Sequence, residues 1–92
     1  MIFVVVSYDI RNDRRRNRVA RVLLDYGSRV QYSVFECRIE PKHFARMHDR
    51  LKKEIDEAQD QVRFYQLCQN CIKTVTFLGH GEIEPEPDVL IV

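Results

Sequence analysis

Seven arginines fall between residues 11 and 29: Arg11, Arg14, Arg15, Arg16, Arg18, Arg21 and Arg29, against only Asp13 and Asp25. Most of them sit at or near the start of a helix, where the macrodipole already presents positive charge, so the cluster opposes local stability. An anion would offset that cost. Phosphate fits, because guanidinium forks pair with it bidentately and free backbone N–H groups add donors. The alternative is a solvated helix face with ion pairs to Asp13 and Asp25. Asp9 stands where the first strand leaves the sheet, on a rim where loops and helix starts converge. It reads either as a turn or capping residue or as one half of a Mg²⁺ site. A single carboxylate is a poor Mg²⁺ site, but in a twofold dimer two copies of Asp9 could meet, with a cation relieving their repulsion.

The other reactive side chains carry less. Cys68-Gln69-Asn70-Cys71 has the spacing of half a zinc site, but a full site needs two more ligands. The segment is therefore read as a metal-free thiol pair at a strand end. His43 and His48 read as structural on a helix, His80 stands alone between glycines, and Ser33 has no evident base. There is no Gly-rich phosphate loop, Ser-His-Asp signature or aromatic RNA-recognition submotif. Metal-assisted phosphodiester chemistry is the one enzymatic case the residues support.

The elements that must position these groups follow from patterning. Ile2–Val6 is a continuous apolar, β-branched run, read as a central strand buried on both faces and ending near Ser7-Tyr8-Asp9. Asn12 or Asp13 caps a helix on which Val19, Val22, Leu23 and Tyr26 share a face, and Gly27 stops it. Between Val30 and Ile39 the apolar phase slips by one residue, implying a bulge or a very tight hairpin around Ser33. Pro41 opens a second helix with Phe44, Met47, His48, Leu51, Ile55 and Ala58 on one face. Gln61–Cys68 and Thr74–Leu78 read as further strands. An acidic linker from Glu82 to Asp88, containing Pro85 and Pro87, precedes a terminal apolar strand, Val89–Val92. The expected fold class is α+β: a ferredoxin-like βαββαβ sandwich with an antiparallel sheet and an extra C-terminal strand. Residues 1–80 form its domain, and residues 81–92 form the linker and tail strand.

The chain has 92 residues, 45% hydrophobic and 32% charged, with a net charge of +1. That composition suits one soluble domain and argues against disorder. The net charge hides an asymmetry, since residues 54–92 carry only Arg63 and Lys73 against eight acids. A local anion-binding face fits this better than a uniformly basic surface. No apolar run approaches membrane-spanning length, and Met1–Val6 is too short for a signal sequence. Three cysteines make no disulfide framework. The expected location is the cytoplasm, with no membrane partner.

The ordered segments Val5-Val6-Ser7-Tyr8-Asp9-Ile10, Arg16-Asn17-Arg18-Val19-Ala20, Arg29-Val30-Gln31-Tyr32-Ser33-Val34-Phe35-Glu36-Cys37 and Arg63-Phe64-Tyr65-Gln66-Leu67-Cys68 closely resemble the second core CRISPR-associated protein family over almost the whole chain. The resemblance implies a ferredoxin-like homodimer whose terminal strand packs on the partner's sheet. It also implies an Mg²⁺- or Mn²⁺-dependent endonuclease acting on RNA or double-stranded DNA in spacer acquisition. Tyr8 and Asp9 map to the catalytic positions, with Asp9 as metal ligand. Arg16 and Arg18, with Arg29 and Phe35, map to the nucleic-acid-binding positions, and the Arg cluster adds Arg14. A further implied partner is the CRISPR integrase, for which the dimer holds DNA. Two alternatives stand beside the enzyme: a non-catalytic architectural DNA-binding adaptor, and a toxin-type ribonuclease of the related virulence-associated group.

Overall fold

The computed structural model describes residues 1–81. Elements run β1 (Ile2–Asp9), α1 (Asp13–Leu24), β2 (Ser28–Gln31), β3 (Val34–Ile39), α2 (Pro41–Glu54), β4 (Gln61–Leu67) and a short turn of helix, α3 (Gln69–Ile72). The sheet order is β2-β3-β1-β4, antiparallel throughout. This is the ferredoxin-like βαββαβ sandwich. The acidic linker and the Val89–Val92 strand lie outside the described residues.

Alternation along β1 sets the two faces of the sheet. Val4, Val6 and Tyr8 enter one core with Phe35, Cys37 and Ile39 of β3, and both helices cover it through Val19, Ala20, Val22, Leu23, Met47 and Leu51. On the other face Val5 and Ser7 are half-buried and Asp9 is exposed. The expectation of burial on both faces is therefore corrected: no long helix covers the second face among the described residues. Phe3 is buried there, with the Arg38 guanidinium 5.0 Å from its ring centre.

The phase slip at Val30–Ile39 resolves into both devices at once. A hairpin turns at Tyr32-Ser33, and the register shifts between Arg29 and Gln31, which leaves Val30 as the bulged residue. Gly27 follows α1, which ends at Leu24 with Asp25 as its cap. Its lack of a side chain is required by close approach, since a Cβ there would lie 2.3 Å from the Glu36 carbonyl oxygen.

Two further expectations are corrected. Ala58 does not extend the face of α2, which ends at Glu54. A tight turn follows instead, in which Asp56 N donates to the Asp60 carboxylate at 2.9 Å and Ala58 N to Asp56 Oδ1 at 3.0 Å. Thr74–Leu78 is not a strand. The helical turn α3 takes the chain away from β4, with Thr74 N bonded to the Cys71 carbonyl and Val75 N to that of Ile72. Residues 76–81 then border a cavity of about 550 Å³ beside Ser28, Arg29 and Val34, so the apolar alternation at Val75 and Phe77 finds no ladder to join.

Asp60 also ties α1 to the start of β4. Its side chain is 1% exposed, and the Arg15 fork grips it from Nε at 2.6 Å and Nη2 at 3.1 Å. The Arg15 hydrogen bonds hold the Asp60 carboxyl below the usual carboxylate range, against the opposing effect of burial. A depressed folded-state pKa contributes stability above the ordinary carboxylate pKa and loses it as pH falls through the folded value. Asp60→Asn is expected to cost about 2 kcal/mol at neutral pH. It should also flatten the loss of stability below pH ~4. Denaturant melts of both proteins across that pH range check this.

Candidate nucleic-acid site at the end of β1

The β1–α1 connection is locked by side chains that point back into it. The Asn12 carboxamide oxygen accepts from Arg15 N at 2.9 Å and caps α1. Arg16 donates to the carbonyls of Ile10 and Arg11 at 3.1 and 3.3 Å, and to Asp13 Oδ1 at 2.5 Å. Arg16 is thus a clamp for the loop, not a bare guanidinium. Arg14 and Arg18 are exposed and one turn apart along α1, and neither side chain makes a hydrogen bond or ion pair among the described residues.

Asp9 is exposed at the last position of β1, opposite Gln61 of β4. No hydrogen bond or ion pair holds its carboxylate among the described residues. The capping role belongs to Asn12, which removes the ordinary structural reason for an Asp at this position. Nor do three His, Cys, Asp or Glu side chains converge anywhere among the described residues. One chain therefore supplies a single hard oxygen ligand. That fits Mg²⁺ or Mn²⁺ only where a second carboxylate or substrate phosphate completes the shell.

Tyr8 and Asp9 are neighbours in sequence but project to opposite faces. Tyr8 is 4% exposed; its hydroxyl donates to the Tyr32 carbonyl and accepts from Arg29 Nη2, each at 3.4 Å. Tyr8 thereby fixes the β2–β3 hairpin. Arg29 lies 5.3 Å from the Phe35 ring centre and 5.9 Å from that of Tyr32, within cation–π range of both. Phe35 itself is fully buried, so its place at the site is to support Arg29 from below, not to face a ligand. The sequence reading missed Arg15–Asp60, whose partners are far apart in the chain, and Tyr32. Tyr32 is 72% exposed at the hairpin tip, and only the register reveals that it stands beside Arg29.

A model of the family described as CRISPR associated protein Cas2 matches residues 1–75, which include every one of these side chains. The chain belongs to the Cas2 family. A relative from Synechocystis sp., named CRISPR-associated endoribonuclease Cas2 3, is 39% identical over the full length of both chains. The crystal structure of Streptococcus pyogenes Cas2 superposes with a TM-score of 0.75 at 41% identity, covering 84% of this chain and 99% of that one. A chain from a structure titled partial Cas6-RT-Cas1–Cas2 complex also gives 0.75, at 28% identity, with 85% of this chain and 91% of that one covered. The matched segment holds both the exposed Asp9 and the exposed arginines of α1. Family membership agrees with the sheet order of β2, β3, β1 and β4.

Proposed function

We propose that the chain is an adaptation-module nuclease: a homodimer that binds nucleic acid through its arginines and hydrolyses a phosphodiester bond at Asp9. The observation that carries this reading is the Asp9 carboxylate, exposed and without a hydrogen bond or ion pair among the described residues, while Asn12 and Arg16 hold its loop. Relatives named endoribonucleases make RNA the first substrate to test, and the Cas1–Cas2 complex supports the CRISPR integrase as a partner. The cytoplasm, where a CRISPR array would be met, suits both.

In this reading Arg14 and Arg18 pair with backbone phosphates, and Arg29, stacked over Phe35 and tied to Tyr8, meets the strand from the hairpin side. Arg16 keeps the loop from moving as the substrate docks. Asp9, with the Asp9 of the partner subunit, would hold Mg²⁺ or Mn²⁺, which would polarise the phosphate and neutralise developing charge. Tyr8 acts by positioning Arg29, since its hydroxyl is committed to the hairpin. The test is cleavage of end-labelled single-stranded RNA and duplex DNA by the full chain, with Mg²⁺ or with a chelator. Metal-dependent products from either substrate support the reading.

The same surface favours a second reading, an architectural DNA-holding dimer, because the binding residues do not depend on Asp9. Binding with no cleavage would select it. The Cas2 match favours either over a virulence-associated toxin. The Arg14→Ala, Arg18→Ala double variant is expected to fold normally, as it removes positive charge from the unfavourable end of α1. Its duplex affinity should fall, and the slope of log K against log salt should become shallower by about one unit per lost phosphate contact. Fluorescence anisotropy at several salt concentrations reads both.

A further inference from the structure

We propose that Cys68 and Cys71 form a reversible dithiol–disulfide site, oxidised by small-molecule disulfides of the glutathione class. Both thiols are free and exposed, whereas Cys37 is buried. Cys68 Sγ lies 3.4 Å from Cys71 Sγ, and Cys71 N donates to Cys68 Sγ, also at 3.4 Å. The turn α3 holds the pair face to face, so bonding needs side-chain rotation and no rearrangement of β4.

The two sulfurs are not equivalent. Hydrogen bonds from the Cys71 backbone N–H, and then from its thiol, draw Cys68 below the ordinary thiol value. The same thiol contact pushes Cys71 up. Cys68 is therefore the attacking sulfur and Cys71 the resolving one. Cys68 also lines a cleft of about 260 Å³ with Phe3, Arg38, Leu67 and Ile72. Apolar walls beside the sulfur give a small disulfide a surface to lie against.

The exchange balances in two steps. The Cys68 thiolate attacks one sulfur of the small disulfide, whose S–S bond breaks, and one small thiolate leaves. The resulting mixed disulfide is attacked by the Cys71 thiolate at Cys68 Sγ, which forms the Cys68–Cys71 bond and releases the second small thiolate. The two protons lost by the cysteines end on the two departing thiols. Two protein thiols are oxidised and one small disulfide is reduced. A bridge that closes so short a loop removes little chain entropy, so it is easily reversed. Its structural consequence is local. The Cys71 carbonyl accepts from Thr74 N at 3.0 Å and Thr74 Oγ1 at 2.7 Å, so bridging stiffens the turn through which the chain leaves the sheet.

The full chain, equilibrated in graded mixtures of reduced and oxidised glutathione, alkylated under native conditions and weighed intact, tests this. The expected result is two alkylations in reducing buffer. In oxidising buffer both should be lost, together with the mass of two hydrogens, and peptide mapping should place the bridge at 68–71. Cys37 serves as the internal control, because burial pushes its thiol up to about 11. Cys71→Ser should trap one glutathionyl group on Cys68, whereas Cys68→Ser should acquire several-fold less on Cys71. Alkylation at both positions in fully oxidising buffer would overturn the proposal. So would equal trapping in the two variants, or zinc retained by the reduced protein with both thiols protected.

Discussion

Asp9→Asn is expected to lower metal-dependent cleavage by at least about 100-fold while leaving melting temperature and nucleic-acid affinity nearly unchanged. The substitution is almost isosteric and falls on an exposed side chain with no partner to lose among the described residues. It removes the negative charge that, on the proposed reading, both subunits would bring to one metal, so in a homodimer the loss would count twice. On the proposed reading affinity should persist, because the arginines that would supply it are held by α1 and the hairpin independently of Asp9. If Asp9 were the helix cap, the variant would lose about 1 kcal/mol of stability. Asn12 already fills that role, so the thermal melt should not move. Nuclease rate and melting temperature measured on one preparation separate these outcomes. Full activity in Asp9→Asn would remove Asp9 from the mechanism, and a large fall in stability would return it to a structural role.

What could be read from the sequence, and what could not, divides along a physical line. Local signals were sufficient where the cause is local. The period of α1 and its Asn12 cap, Pro41 at the head of α2, and the phase slip before Ser33 all act within a few residues. Thr74–Leu78 shows the limit of such signals: its alternation is strand-like, but a strand needs a neighbour, and α3 carries the segment away from the edge of β4. At the candidate site, charge and position single out Asp9 and the arginines as exposed groups. They do not give the division of labour. Arg16 and Arg18 stand two residues apart in one basic run, yet one points into the loop and the other to solvent. Arg15 is distinguished only by Asp60, a residue 45 positions further along the chain. The pairing of Arg29 with Phe35, and hence the support of one by the other, depends on a bulge whose placement only the cross-strand register reveals.

That support makes Phe35 the most consequential single side chain to change, and the effect should appear first in stability. Phe35 has no exposed surface and packs against Tyr8, with ring centres 6.3 Å apart. Phe35→Ala is expected to cost about 3–5 kcal/mol through lost burial and the cavity left behind. A small domain has about 5–15 kcal/mol in total, so this variant would lose binding merely by unfolding. Phe35→Leu tells the two roles apart. It keeps an apolar core residue at an expected cost of about 1–2 kcal/mol, but it removes the aromatic face beneath Arg29. A folded Phe35→Leu protein should therefore bind nucleic acid more weakly, as Arg29→Ala should. The Phe35→Leu, Arg29→Ala double variant should lose little more than either alone, because the ring acts through the guanidinium. Additive losses in that cycle would show that Phe35 serves the core only, and that Arg29 is held well enough by the Tyr8 hydroxyl and the Tyr32 ring.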